Sequence, residues 1–358
     1  MADPSQLPRA LRLQAQGCVT FGSVFSGALL DRAAEDVERG GPTAALLTPW
    51  ASGTTRALLT DAVPIRLLGA LHDLALSGDA PALAAAYPTP DRPGEVNAAW
   101  NEARSIIADQ PERIAAFMAH EPQTNEVRRS ACLIGGFLTI AKETGLPLRC
   151  LEVGASAGLN QLWDRYRYQL GDVAVWGEPD SPVVIDTDWR GPAPPIDAEV
   201  RVIERAACDR KPVDLADPTA RRRLRAYVWA DQLDRLRRLE AAIALAVSRG
   251  VSVDKDDAVA WTEVRAHPGA DAATVLYHSV FWQYMPPESQ AALTTAIHRH
   301  GALATARAPF AWLRMEPPAD NLASMELRLT LWPTGEERLL AMVHPHGAEV
   351  TWGETLTR

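Results

Sequence analysis

Leu148-Arg149-Cys150-Leu151-Glu152-Val153-Gly154-Ala155-Ser156-Ala157-Gly158-Leu159-Asn160 reads as a short apolar strand that ends on an acid, breaks into a turn of small residues and opens directly into a helix. At Gly154 and Gly158 the missing Cβ permits unusual backbone angles and lets a ligand approach the main chain. The unpaired N–H groups of the following helix favour an electronegative group there. This is the pattern of a nucleotide-binding turn. Its spacing selects among ligands: a dinucleotide fingerprint needs glycine at 154, 156 and 159, and the chain has Ser156 and Leu159. A nicotinamide-dependent oxidoreductase is therefore the weaker reading. Two glycines also occur in ordinary strand-to-helix turns, so the surrounding chain has to decide.

Downstream, strands and helices alternate, which predicts a parallel sheet covered by helices. Val200–Ala207, ending near Cys208-Asp209, is the second strand, and a long helix is expected from about Thr219 to Ser248 with Leu224, Leu233, Leu236, Leu239 and Ile243 on its apolar face. Val251–Val253, Ala273–Tyr277 and Phe310–Met315 supply the third to fifth strands, with a helix from Pro287 to about His300 before the last. Met325–Trp332 and Arg338–Val343, joined through Pro333-Thr334-Gly335-Glu336, read as a hairpin. An insertion at about 171–198 interrupts the alternation; Asp172–Trp176 and Val183–Trp189 are expected to pair within it. Upstream, Leu11 to Met118 carries Ala and Leu at helical spacing, as in Ile65, Leu68, Leu71, Leu74 and Leu76, broken at Gly40-Gly41-Pro42 and across Tyr87–Gly94. A helical N-terminal cap over 1–125 and an α/β domain over 126–358 follow.

Glu152-x-Gly154-x-x-x-Gly158 resembles the first motif of class I S-adenosylmethionine-dependent methyltransferases, in which the glycine turn passes under the methionine moiety of the cofactor. Five strand–helix alternations closed by an antiparallel hairpin are also that family's architecture. The resemblance implies a Rossmann-like class I methyltransferase sheet, S-adenosylmethionine as cofactor, and Glu152, Gly154, Ser156, Gly158 and Asn160 at the cofactor turn. Fold alone does not establish activity.

Ligands of open α/β sheets bind at the carboxyl ends of strands. Asp209 is placed to accept from both hydroxyls of a ribose, or else caps a helix or loop. Asp256-Asp257-Ala258 resembles the acidic-Ala element that contacts adenine, Asp257 being the candidate, although an exposed loop pair reads the same. The fourth strand exits into Tyr277-His278-Ser279-Val280-Phe281-Trp282-Gln283-Tyr284. There His278 is either a base that takes a proton from the acceptor or a hydrogen-bonded core histidine. Tyr284 and Glu316 are the next catalytic candidates, and Trp282 offers a surface to substrate. The Asn/Asp-Pro-Pro-Tyr motif of amino-group methyltransferases is missing. Asn125 and Arg129 lie at the start of the helix before the turn, a region that closes over cofactor or substrate in such enzymes; Thr124 or Asn125 as a simple helix cap is the alternative. His344 and His346 have chelating spacing but lack identifiable further ligands, which favours a structural turn.

The chain has 358 residues, 47% hydrophobic and 23% charged, with a net charge of -9, which disfavours nucleic acid and anionic membrane as partners and leaves a small or medium organic molecule as acceptor. Cys18, Cys132, Cys150 and Cys208 are scattered, without metal or disulfide spacing, and are expected to be reduced core residues. Met1–Ala10 lacks a leader pattern and no apolar run reaches membrane-span length, so a cytoplasmic location is expected. Oligomeric state has no signature.

Gln123-Thr124-Asn125-Glu126, Leu151–Asn160, Gln161-Leu162-Trp163-Asp164-Arg165-Tyr166, Trp176-Gly177, Cys208–Leu215, Val228–Leu236 and Pro345-His346-Gly347 together resemble the bacterial family catalogued as domain of unknown function 2332. Ala230 stands where that family's Trp-Pro-Asp element has proline. The resemblance implies the methyltransferase-like fold without a substrate. A non-catalytic binding or regulatory module is the alternative from a different class, motivated by Ser156 and by the missing tetrapeptide.

Overall fold

The computed structural model describes residues 5–318 and 324–353. Residues 1–4, the start of the segment read for a leader, lie outside the described residues. The chain divides into two compact units: Met1–Thr124 with Ala216–Arg237, and Asn125–Leu215 with Arg238–Arg358.

The first unit is built from helices, among them Gln6–Thr20, Val24–Glu38, Val63–Ser77, Val96–Asp109 and Pro111–Met118. Proline opens several of them at the first turn, where its missing N–H has no intrahelical partner to lose. Their apolar stripes meet in one cluster that includes Leu11, Leu30, Leu67, Leu71, Leu83, Trp100 and Met118, and Ala230 joins it from the second segment. Buried Arg66 is matched by carbonyls and a carboxylate: it donates to the Asp61 and Met118 carbonyls (2.7 and 3.0 Å) and meets Asp61 Oδ1 at 2.6 Å.

The long helix expected over Thr219–Ser248 is two helices, Pro218–Ala226 and Leu233–Ser248. The break has a polar cause. His72 Nδ1 lies 3.2 and 3.0 Å from the carbonyls of Ala226 and Val228, and the Asp231 carboxylate accepts from Ser23 Oγ and, at 2.8 Å, from the Phe25 N–H. Those bonds hold 227–232 in a turn that helical periodicity does not reveal.

In the second unit the strands are β1 Leu148–Val153, β2 Arg167–Leu170, β3 Ala174–Gly177, β4 Val184–Arg190, β5 Val202–Asp209, β6 Asp254–Lys255, β7 Ala273–Ser279, β8 Phe310–Glu316, β9 Met325–Trp332, β10 Glu336–Val343 and β11 Glu349–Trp352. They form one mixed sheet of eleven strands in the order β3-β2-β4-β11-β10-β9-β8-β7-β1-β5-β6. The run β6-β5-β1-β7-β8 is parallel throughout. Within this parallel run, and leaving aside the excursion through β2, β3 and β4, the chain order goes from β1 outward to β5 and β6 and then to the other side for β7 and β8, so the carboxyl ends of β1 and β7 flank the point where the winding reverses. β9 and β10 continue the sheet antiparallel, as the hairpin reading expects.

Three other expectations change. The turn after β1 leads into a short 3-10 helix, Leu159–Arg165, and not into an α-helix; Leu162 has non-helical angles, and β2 starts two residues after the helix ends. The expected pairing of Asp172–Trp176 with Val183–Trp189 is replaced: β3 pairs antiparallel with β2, and β4 runs parallel to both β2 and β11. The inserted piece thus begins with β2, before residue 171. Finally, the third strand falls at Asp254–Lys255, just after Val251–Val253.

The core between sheet and helices includes Leu151, Val153, Leu276, Leu293, Ile297, Phe310 and Trp312. All four cysteines are buried and free, and burial pushes the Cys132 and Cys150 thiols up to about 12. No helix among the described residues is long and apolar enough to cross a membrane.

Candidate functional site

The turn at the end of β1 holds three residues with positive φ in five positions: Gly154 (70°), Ser156 (54°) and Gly158 (72°). A Cβ at 154 would lie 2.2 Å from a Phe281 ring carbon, and one at 158 would lie 2.4 Å from the Gln161 side-chain amide, so both glycines are required by space as well as by angle. Ser156 bears the left-handed strain without that excuse. Its N–H donates to Asp209 Oδ2 (2.8 Å), and its carbonyl accepts from Val213 N (3.1 Å), which ties the turn to the end of β5.

Asp209 accepts a second bond, from Lys211 N at 2.8 Å. As a carboxylate it offers about four lone-pair directions, so two remain for a ligand. Asn125 Oδ1 accepts from Leu159 N at 2.9 Å, which satisfies the first N–H of the 3-10 helix. The turn therefore meets several of its own donors internally, and a ligand there would be recognised mainly by side-chain atoms.

Several such atoms are open. Ser156 Oγ and Asn160 Oδ1 are buried with no hydrogen-bond partner, whereas Asn160 Nδ2 donates to the Glu126 carbonyl at 3.3 Å. Glu152 is 3% exposed and accepts at one oxygen from the Tyr277 hydroxyl, 3.3 Å away. Burial pushes its carboxyl up to about 8, the opposing hydrogen bond from Tyr277 being the weaker influence.

The exit of β7 is arranged differently. His278 is fully buried; its Nδ1 lies 2.7 Å from Glu316 Oε1, and its Nε2 is 3.0 Å from Trp312 Nε1. An indole N–H can only donate, so Nε2 accepts and the proton sits on Nδ1, directed at Glu316. Both ring nitrogens are engaged, and no lone pair is left for an acceptor's proton. Glu316 also accepts from the Phe281 N–H (2.9 Å), and Trp282 stacks on the imidazole at 5.4 Å and 17°. Trp312, His278 and Glu316 thus hold the loop that seats Phe281 against Gly154. Tyr284 stands 72% exposed beyond it.

Arg129 acts as a strut, donating from Nε to the Pro345 carbonyl (3.0 Å) and reaching the Ser279 carbonyl with Nη1 (3.5 Å). Asp257 caps the helix Ala258–Arg265, accepting from Val259 N and Ala260 N, while the Asp256 N–H donates to the Asp209 carbonyl. His344 Nδ1 accepts from His346 N at 3.1 Å. Among the described residues no three His, Cys, Asp or Glu side chains gather as a metal-binding group.

Residues 8–352 match the model of a family described as uncharacterised proteins conserved in bacteria, DUF2332. The chain belongs to this family. Among curated proteins and among solved structures, nothing matches.

In this DUF2332 member the fold brings Glu152, Gly154, Ser156, Gly158, Asn160 and Asp209 to one place, with Asn125 beneath the turn. His278, Glu316 and Trp282 form a second group at the next strand exit, and Phe281 joins the two. Tyr277, Phe281 and Trp312 are the residues that sequence reasoning did not single out. Phe281 lies inside the quoted exit stretch; nothing in the spacing shows that Trp312, on a neighbouring strand, points at His278.

Proposed function

We propose that this protein is an S-adenosylmethionine-dependent methyltransferase of Rossmann-like class, acting on a small or medium organic acceptor. One observation carries the reading: a turn with three left-handed residues sits at the reversal point of the parallel sheet, tied to an acid at the end of the next strand. Ligands of open α/β sheets settle at that point.

The donor set fits the cofactor. Asp209 would take ribose hydroxyls on its remaining lone pairs, and Ser156 Oγ and Asn160 Oδ1 would meet polar groups of the nucleoside or the methionine moiety. When bound, the cofactor supplies an activated methyl group. The protein's own part is to align the acceptor, exclude water and seat Phe281 beside the turn. His278 in this reading is a positioning residue that, with Trp312 and Glu316, sets the place of Phe281. Trp282 and Tyr284 face the approach of the acceptor.

The closed Trp312–His278–Glu316 chain favours a second reading, a non-catalytic binding module, because it leaves the β7 exit without a free base. Two measurements separate them. Calorimetric titration with S-adenosylmethionine and S-adenosylhomocysteine is expected to give saturable heat that Gly154→Arg removes; no heat at millimolar ligand overturns both readings of the site. Accumulation of S-adenosylhomocysteine in a lysate-supplemented assay with wild type, and not with Gly154→Arg, excludes the module.

A further inference from the structure

The inserted strands build a second cleft, of about 610 Å³, lined among others by Asp164, Arg165, Arg167, Trp176, Glu178 and Arg201. It lies beside Val200–Val202, the chain entering β5, whereas the turn described above sits at the carboxyl ends of the parallel strands. Its volume falls within the range of about 300–1,000 Å³ usual for small-molecule sites.

The charges of its lining do not cancel. Arg165 meets Glu178 at 2.7 Å and Asp164 at 3.3 Å, and Arg205 meets Asp164 at 2.5 Å, so both acids are neutralised. Arg167 donates only to the Gly177 carbonyl (3.2 Å), and neither it nor Arg201 meets a carboxylate among the described residues. Two uncompensated guanidinium groups therefore face one cleft in a chain of net charge -9. Guanidinium forks match phosphate in geometry and charge.

One wall of the cleft is aromatic and rigid. Trp176 is stacked on fully buried Trp163 (centroids 5.9 Å apart, 17°), which is itself stacked on Phe137 (4.1 Å, 3°). Asp164, with a side chain only 9% exposed, is held by Arg205 and Arg165 and keeps that side of the cleft fixed.

We propose that this cleft binds a small aryl phosphate: the ring lies along Trp176 and the phosphate is held by Arg167 and Arg201. The site is independent of the strand-exit reading. The test is calorimetric titration of the full-length protein with phenyl phosphate, phenol and inorganic phosphate. Phenyl phosphate is expected to bind about tenfold or more tightly than either fragment, since stacking and two charge-assisted contacts are then made together. Arg167→Gln with Arg201→Gln should weaken it by about tenfold or more. Arg201→Gln alone changes an exposed side chain without a partner, so it should fold normally and still weaken binding several-fold. Gly154→Arg should leave it unchanged, which keeps failure here distinct from failure at the turn. Absence of binding at millimolar phenyl phosphate, or undiminished binding in the double variant, overturns the proposal, and so does inorganic phosphate binding as tightly as phenyl phosphate.

Discussion

The exits of β1 and β7 are neighbours in the sheet and opposites in chemistry. At the β7 exit stand the residues that draw attention in a sequence, a histidine, a glutamate and aromatics, and each polar atom of His278 has a partner. At the β1 exit stand small, quiet residues, and there the backbone is strained, an acid is desolvated, and Ser156 Oγ and Asn160 Oδ1 are left open. Open hydrogen-bonding capacity and stored strain, more than reactive residue type, set the β1 exit apart and are the reason for proposing a ligand there.

The largest test of that contrast is Gly154→Arg. A side chain at φ 70° that also collides with Phe281 should cost about 4 kcal/mol of stability and abolish cofactor binding. Urea denaturation and calorimetry read both; an unchanged midpoint would mean that Phe281 is not seated on the turn. Next comes His278→Ala, which strips the buried Glu316 carboxylate and the Trp312 indole of their partner. A loss of about 3 kcal/mol is expected, with cofactor affinity changed only a few-fold. If stability holds while turnover falls by orders of magnitude, His278 is a base and the contrast breaks.

Glu152 gives the third test, through pH. Its folded pKa of about 8 stands above the ordinary 4.5, so the folded state holds a proton that the unfolded chain gives up across that window. Stability should therefore decline as pH rises from about 5 to 8 and level off above it. Glu152→Gln should flatten the curve in thermal melts taken across that window. An unaltered slope would show that the acid is not desolvated in the folded protein. The smallest effect is expected from Asp209→Asn. One amide oxygen can replace only one of the two acceptors, so about 1 kcal/mol of stability should be lost, together with about tenfold in cofactor affinity if the carboxylate holds a ribose. Equal affinity of variant and wild type would remove Asp209 from the ligand's contacts.

What could be read in advance follows the range of the forces involved. β1, β5, β7, β8 and the β9–β10 pair are visible because each is an apolar run bounded by turn residues, and the hairpin partners are adjacent in the chain. β2 and β11 are hidden for the opposite reason, and β4, legible as a strand at Val183–Trp189, takes partners that the sequence does not show. β4 pairs with a strand about 160 residues further on, and no local pattern encodes that partner. At the site, Glu152, Gly154, Ser156 and Gly158 are legible because backbone geometry constrains residue type at each position. The tautomer of His278 is not, because it depends on Trp312, a residue whose own position in β8 looks like any core tryptophan.

The helical unit has a consequence for biosynthesis. Its second segment supplies the carbonyls that receive His72 and the carboxylate that receives Ser23 and Phe25, yet it is separated from the first by residues 125–215. A ribosome adding about 5–20 residues per second needs several seconds to cross that gap. Throughout that interval His72, Ser23 and the Phe25 N–H lack the partners they have in the finished unit, so the usual order in which an N-terminal unit folds first and alone does not apply. Completion of this unit waits on the emergence of Asp231.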